Sequence, residues 1–192
     1  MNGLNKYFIT FLTVIFAGLL VYFIVNAGYY PVAVVNGDLV GARQFNREYG
    51  VVFRYYAKSL AESKEVDVGS PDFQKELRRA VLQGLIEREL IGEGLKEKIG
   101  GDFRATVNKW LGDQNISGEA MEQAAKFVYG LSLADFREMV LVPRAERELL
   151  EGRLQQEKTN LEDWLARTLK SANVFVVTPE FYWDDGQLKT RD

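Results

Sequence analysis

The chain has 192 residues, 47% of them apolar, which is enough for one domain with a real core plus an appendage. Its 24 lysines and arginines against 27 aspartates and glutamates leave a net charge of −3, so no broad basic surface offers itself to nucleic acid. The absence of cysteine and histidine excludes thiolate and imidazole chemistry, disulfides and the usual zinc ligand sets.

From Tyr7 to Val25, YFITFLTVIFAGLLVYFIV carries no charge. As a helix at ~1.5 Å per residue it matches the ~30 Å hydrocarbon layer, so residues 1–28 are expected to form a transmembrane signal-anchor. Tyr7, Tyr22, Tyr29 and Tyr30 flank the run as interfacial anchors would. A cleaved signal peptide is the competing reading, because Val25-Asn26-Ala27 suits a signal peptidase, but the run exceeds the ~7–15 residues of a signal core. With Lys6 ahead of the span, the short tail stays inside and the long domain translocates. The expected location is the bacterial cytoplasmic membrane, single-pass, with the C-terminal domain extracytoplasmic.

YYPVAVVNGDLVGARQF follows, from Tyr29 to Phe45. Val32, Val34 and Val35 are β-branched, Asn36-Gly37 tolerates the positive φ angles of a type I′ turn, and Leu39-Val40 resumes the extended pattern. A lone two-stranded hairpin is marginal in water, so another strand must come from elsewhere in the chain.

Phe45, Tyr49, Val52, Phe53, Tyr56 and Leu60 fall on one face of a helix from about Arg43 to Ser63. ESKEVDVGSP ends it. Ser70 reads as an N-cap with Pro71 at the first helical position, and Phe73, Leu77, Val81, Leu85, Ile86, Leu90, Ile91 and Leu95 carry a long second helix to Gly100-Gly101. A shorter helix from Asp102 buries Phe103, Val107 and Trp110; LGDQNISGEA then turns the chain into another, from Glu119 to Gly130, with Met121, Ala124, Ala125 and Val128 expected inward. Ser132 and Asp135 form a start resembling a capping box, and Pro143 should kink the helix they open near Met139. Leu149, Leu150 and Leu154 lie beyond the kink. Thr159 to Glu162 reads as a capping box for a last helix buried through Leu161, Trp164, Leu165, Leu169 and Ala172.

Asn173 to Pro179, NVFVVTP, is too short and too β-branched for a helix and supplies the missing strand, laid against Val32 to Val35. The expected fold is therefore mainly α: a transmembrane helix over residues 1–28, then a multi-helix domain over 29–178 closed by a small sheet of the N-terminal hairpin and the C-terminal strand. Residues 179–192 form an aromatic tail with Phe181, Tyr182 and Trp183.

The order of parts carries a resemblance. VAVVNGDLVGARQFNREY, then VLQGLIERELIGEGL, then YGLSLADFREMVLVPRAERELL resembles the N-terminal chaperone domain of the SurA family, shared with the PpiD and PrsA foldases. The matching residues are Val35, Asn36 and Gly37, then Leu82, Leu85, Ile86, Leu90 and Ile91, and last Gly130, Ser132 and Phe136. The similarity covers about Pro31 to Leu154. Foldase members insert a parvulin prolyl-isomerase domain before the returning segment, whereas here the gap is GRLQQEK, Gly152 to Lys158. The resemblance thus implies a chaperone-like module without the isomerase.

Catalytic, cofactor and metal sites find no support in the sequence. Glu87 and Glu89, and Asp184 and Asp185, sit among basic residues on expected solvent faces rather than in a pocket that would shift a pKa. Asp184-Asp185-Gly186 is too short for a calcium loop, and Gly92 and Gly94 lie within a helical pattern rather than a phosphate loop. The aromatics are the candidates for binding. Tyr55 and Tyr56 lie about 100° apart on their helix, so both cannot enter one core stripe. Trp110, Phe127 and Tyr129 pose the same question; some of the five are candidates to line a groove, while for each taken singly core packing is the better reading. The expectation is a non-enzymatic, membrane-anchored, extracytoplasmic holdase for unfolded or nascent polypeptides, near the translocation machinery, with the membrane reached through Tyr7 to Val25 and no nucleic acid bound. A structural or adaptor subunit binding one folded membrane protein through the same helical surface is the alternative.

Overall fold

The computed structural model describes residues 3–60, 67–114 and 119–191. The stretch 61–66, which holds the expected end of the helix from Arg43 at Ser63 and the start of ESKEVDVGSP, and the stretch 115–118, within LGDQNISGEA, lie outside the described residues.

Helix α1 spans Gly3–Asn26, and its side chains include the exposed Phe11, Phe16, Leu19 and Phe23. Among the described residues none from α1 enters an apolar cluster of the body. The transmembrane span expected over Tyr7 to Val25 requires correction: among the described residues no helix is long and apolar enough to cross a membrane. The side chains of residues 7–10 and 21 lie outside the description. The expected single-pass location in the bacterial cytoplasmic membrane, with an extracytoplasmic C-terminal domain, falls with that span. The mainly helical character with small sheets remains.

Strands β1 (Pro31–Val35) and β2 (Asp38–Gly41) form the hairpin, with Asn36 at φ 51° and Gly37 at φ 102° in the turn. Strand β3 (Val174–Val176) pairs antiparallel with β1, setting Val35 opposite Val174 and Ala33 opposite Val176, so the sheet order is β2-β1-β3. Val32, Ala33, Val35 and Val40 are buried beneath it. The third strand satisfies backbone groups along one hairpin edge and joins the two ends of the body.

Helix α2 (Ala42–Ser59) leaves the hairpin at once, and α3 (Pro71–Ile99) runs through the centre of the body. The Ser70 hydroxyl accepts from the Phe73 N–H, and Gly100 at φ 88° ends the helix. Because α3 is 29 residues long it serves two cores in succession. Its first part, Val81 to Leu90, packs with the sheet and Phe45; its last part, Ile91 and Leu95, packs with α4 (Phe103–Asp113), α7 (Val142–Gln156) and α8 (Leu161–Ser171). Asn160 caps α8, its Oδ1 accepting from the Glu162 and Asp163 N–H groups, so the cap falls one residue beyond the expected Thr159. Trp164 of α8 lies so close to α3 that a Cβ at Gly94 would sit 2.5 Å from its ring, which explains the glycine in a buried helix.

The segment after β3 is a second hairpin, β4 (Phe181–Asp184) and β5 (Gln187–Thr190), turning at Asp185-Gly186. Phe181 and Leu188 are buried in the first core. The aromatic tail therefore closes the body beside the sheet.

Between α4 and α7 an arm crosses α2. It comprises α5 (Glu119–Ala124), a π-helical turn over Ala125–Tyr129, Gly130 at φ 66°, α6 (Leu133–Phe136) and a second π-helical turn over Arg137–Leu141 that runs into α7. Pro143 has no N–H for the Met139 carbonyl and its ring crowds that carbonyl. The wider turn containing Met139 takes up the conflict that a kink was expected to absorb.

Candidate functional site

Helix α2 divides its residues among three stripes. Ala42 and Phe45 face the first core, with Tyr49 and Val52 packed against it. Arg47, Val51 and Tyr55 meet the arm. Glu48, Val52 and Tyr56, spaced i, i+4 and i+8, line a groove of about 510 Å³.

The floor of the groove is α3, through Leu77, Ala80, Val81, Gly84 and Ile91, and its far wall is Met139 and Pro143. Both α2 and α7 pack on α3. The trough between them stays open because α3 presents Ala80 and Gly84 there, and a Cβ placed on Gly84 would meet nothing within 4 Å. The lining is mainly apolar, of the kind and size that hold organic ligands or peptide side chains.

Charged residues rim this floor, and each has an intramolecular partner. Arg88 pairs with Glu48, Arg144 with Glu148 at 2.8 Å, and Arg147 with Glu162 at 2.5 Å. Glu87 accepts from Gln83 at 2.9 Å. Burial raises the Glu48 pKa, and Arg88 beside it only partly offsets that. Burial also raises Glu89 and Glu146, again with Arg88 as the largest opposing charge. Glu89 is thus half-buried rather than on the solvent face the sequence predicts. Among the described residues no cluster of acidic side chains could hold a metal.

Four of the five aromatics singled out in the sequence lie on this side of the body. Tyr56 lines the groove, its ring edge-on to Phe73 at 5.8 Å and to Tyr55 at 5.7 Å. Tyr55 stacks on Tyr129 at 6.4 Å, and Tyr129 meets Phe136 at 5.3 Å. A continuous ladder of rings, Phe73, Tyr56, Tyr55, Tyr129 and Phe136, thus runs from the groove into the arm. Phe127 is 74% exposed and lies under the Lys58 ammonium, 3.9 Å from its ring centre. Trp110 packs half-buried against the second core, apart from the other four. Sequence reasoning missed Phe73 and Phe136 as ladder ends, and it missed Ala80 and Gly84, whose only signal is small size at i and i+4 on the exposed side of a leucine-rich helix.

A second concavity, about 680 Å³, lies along α8 and includes Lys158, Asn160, Asp163, Arg167 and Lys170. It is larger, but it is formed by one helix and its cap, and its lining is about half polar. No family model matches this chain, and neither does any curated protein or solved structure.

Proposed function

We propose that the protein is a chaperone-like polypeptide-binding module, a holdase whose occupant is an unfolded or nascent chain and whose action involves no bond-making step. The observation that carries this reading is the pairing of the groove rim with itself. An apolar trough whose charges are already satisfied selects by surface apolarity rather than by sequence, which is what weak, promiscuous capture of unfolded segments requires. A dedicated docking site would present unpaired polar anchors to fix one partner's orientation. The resemblance of the hairpin and helices to the SurA-type chaperone domain points the same way, and the short Gly152 to Lys158 connection leaves no room for the isomerase of that family.

The purified full chain is expected to slow aggregation of several unrelated, chemically denatured proteins diluted into buffer at a few-fold molar excess. Protection of none of them, with the chain itself folded, would contradict the reading.

A further inference from the structure

We infer that the arm from Glu119 to Leu141 is a lid, held on α2 by weak contacts, whose local opening lengthens the groove. The inference concerns the fold itself; only the purpose of the opening rests on the function proposed above.

The arm has a small apolar cluster of its own. Ala125, Leu131 and Phe136 are buried in it with Met121, Tyr129, Met139, Val140 and Leu141 packed around, and Val51 is the buried member that α2 supplies. Most of that cluster moves with the arm, so lifting it exposes little more of α2 than Val51 and Tyr55. The polar attachments are equally slight. Arg47 pairs with Asp135, and with Glu138 at 3.6 Å, and all three side chains are well exposed. Lys58 donates to the Phe127 carbonyl at 3.0 Å and lies over its ring, and at the arm's base Arg137 donates to Asn108 Oδ1 of α4 at 3.2 Å while Leu141 also packs on the second core. Exposed ion pairs of this kind contribute little and are screened by salt.

The arm is also built to bend. The Arg137–Leu141 π-helical turn at its base carries Met139, a wall residue of the groove, and Gly130, in the left-handed region, breaks the arm after its first π-helical turn. Widened turns of this kind lack the regular i to i+4 ladder and shift register readily. Opening would join Val51 and the covered face of Tyr55 to Tyr56 at the groove end, turning the α2 part of the aromatic ladder into binding surface. A segment with few apolar contacts to the body and exposed attachments opens independently of it.

Hydrogen exchange on the full chain tests this. Amides of Ala125–Tyr129 and Leu133–Leu141 are expected to exchange at least tenfold faster than those of Leu82 to Leu90 in α3. Raising salt to about 0.5 M, or substituting Arg47→Gln, should speed the arm about fivefold more and leave α3 unchanged. The chain has no cysteine, so an R47C/D135C pair can be bridged by a short bis-maleimide, which should slow the arm toward the α3 rate. Arm amides as protected as α3, or an Arg47→Gln effect shared equally by both, would overturn the lid. These readings need no client and stand whether or not the chain suppresses aggregation. Where it does, bridging should weaken protection several-fold; equal protection with and without the bridge would overturn the link between lid and groove.

Discussion

Asn36 and Asn173 exchange two hydrogen bonds across the sheet: the Asn36 N–H donates to the Asn173 carbonyl at 2.9 Å, and the Asn173 N–H donates to Asn36 Oδ1 at 3.0 Å. The Asn36 amide also donates to Glu93 of α3 at 2.7 Å, so one side chain ties the hairpin, the returning strand and the central helix. Asn36→Ala loses these side-chain bonds and places a Cβ-bearing residue with no local compensation in the left-handed region, costing about 2–3 kcal/mol. Asn36→Gly keeps the turn and should cost only about half as much, the difference being read as melting temperatures at ~2–4 °C per kcal/mol. Equal melting of the two variants would show that the side-chain junction, rather than the left-handed turn, sets the requirement.

Gly94 and Trp164 make a second fixed relationship. Gly94→Ala should destabilise by about 1–3 kcal/mol despite the better helix propensity of alanine, because the new methyl group cannot coexist with the indole in place. Shortening the partner in Gly94→Ala/Trp164→Leu should recover part of the loss, a coupling that denaturant titration of the four-member cycle measures directly. Strict additivity would mean that the two residues do not meet.

The half-buried carboxylates predict an unusual pH dependence. Glu48, Glu89 and Glu146 have folded pKa values raised above 4.5, so the folded state holds their protons more tightly than the unfolded one. Their contribution favours folding below that value and is lost as pH rises through the raised values. Glu146→Gln should therefore raise the melting temperature at pH 7 by a few degrees, on the order of 1 kcal/mol, and confer no advantage near pH 4. A gain that persisted unchanged at pH 4 would rule out ionisation as its cause.

Local rules made part of this architecture readable. Asn36-Gly37 between β-branched runs identifies a hairpin from the turn alone, and the valines of 174–177 match the edge it leaves open. The helix faces follow from apolar spacing. The C-terminal hairpin was harder to read, because Gln187–Thr190 offers one aliphatic residue, Leu188, and a four-residue strand gives no period to recognise. Pro143 signals trouble at Met139, but whether a helix kinks or widens into a π turn depends on what packs against it. The groove was hidden for a different reason. It arises where Ala80 and Gly84 fail to fill space between helices, and a residue that does nothing locally leaves no mark in a hydrophobic pattern. Trp110 illustrates the converse: an aromatic in a short helix was ambiguous until α3 and α7 were seen around it.

The central claim, that this groove takes up polypeptide, is tested most directly by filling it. Gly84→Leu places a side chain in open space on the groove floor, and replacing a helical glycine with leucine should raise stability by up to ~1 kcal/mol. Aggregation suppression by the variant should be measured beside that of the original chain, with both melting temperatures recorded. The account predicts an equal or higher melting temperature and protection weakened at least about fivefold, corresponding to ~1 kcal/mol of lost binding. A variant that folds as well and protects as well as the original chain would contradict it.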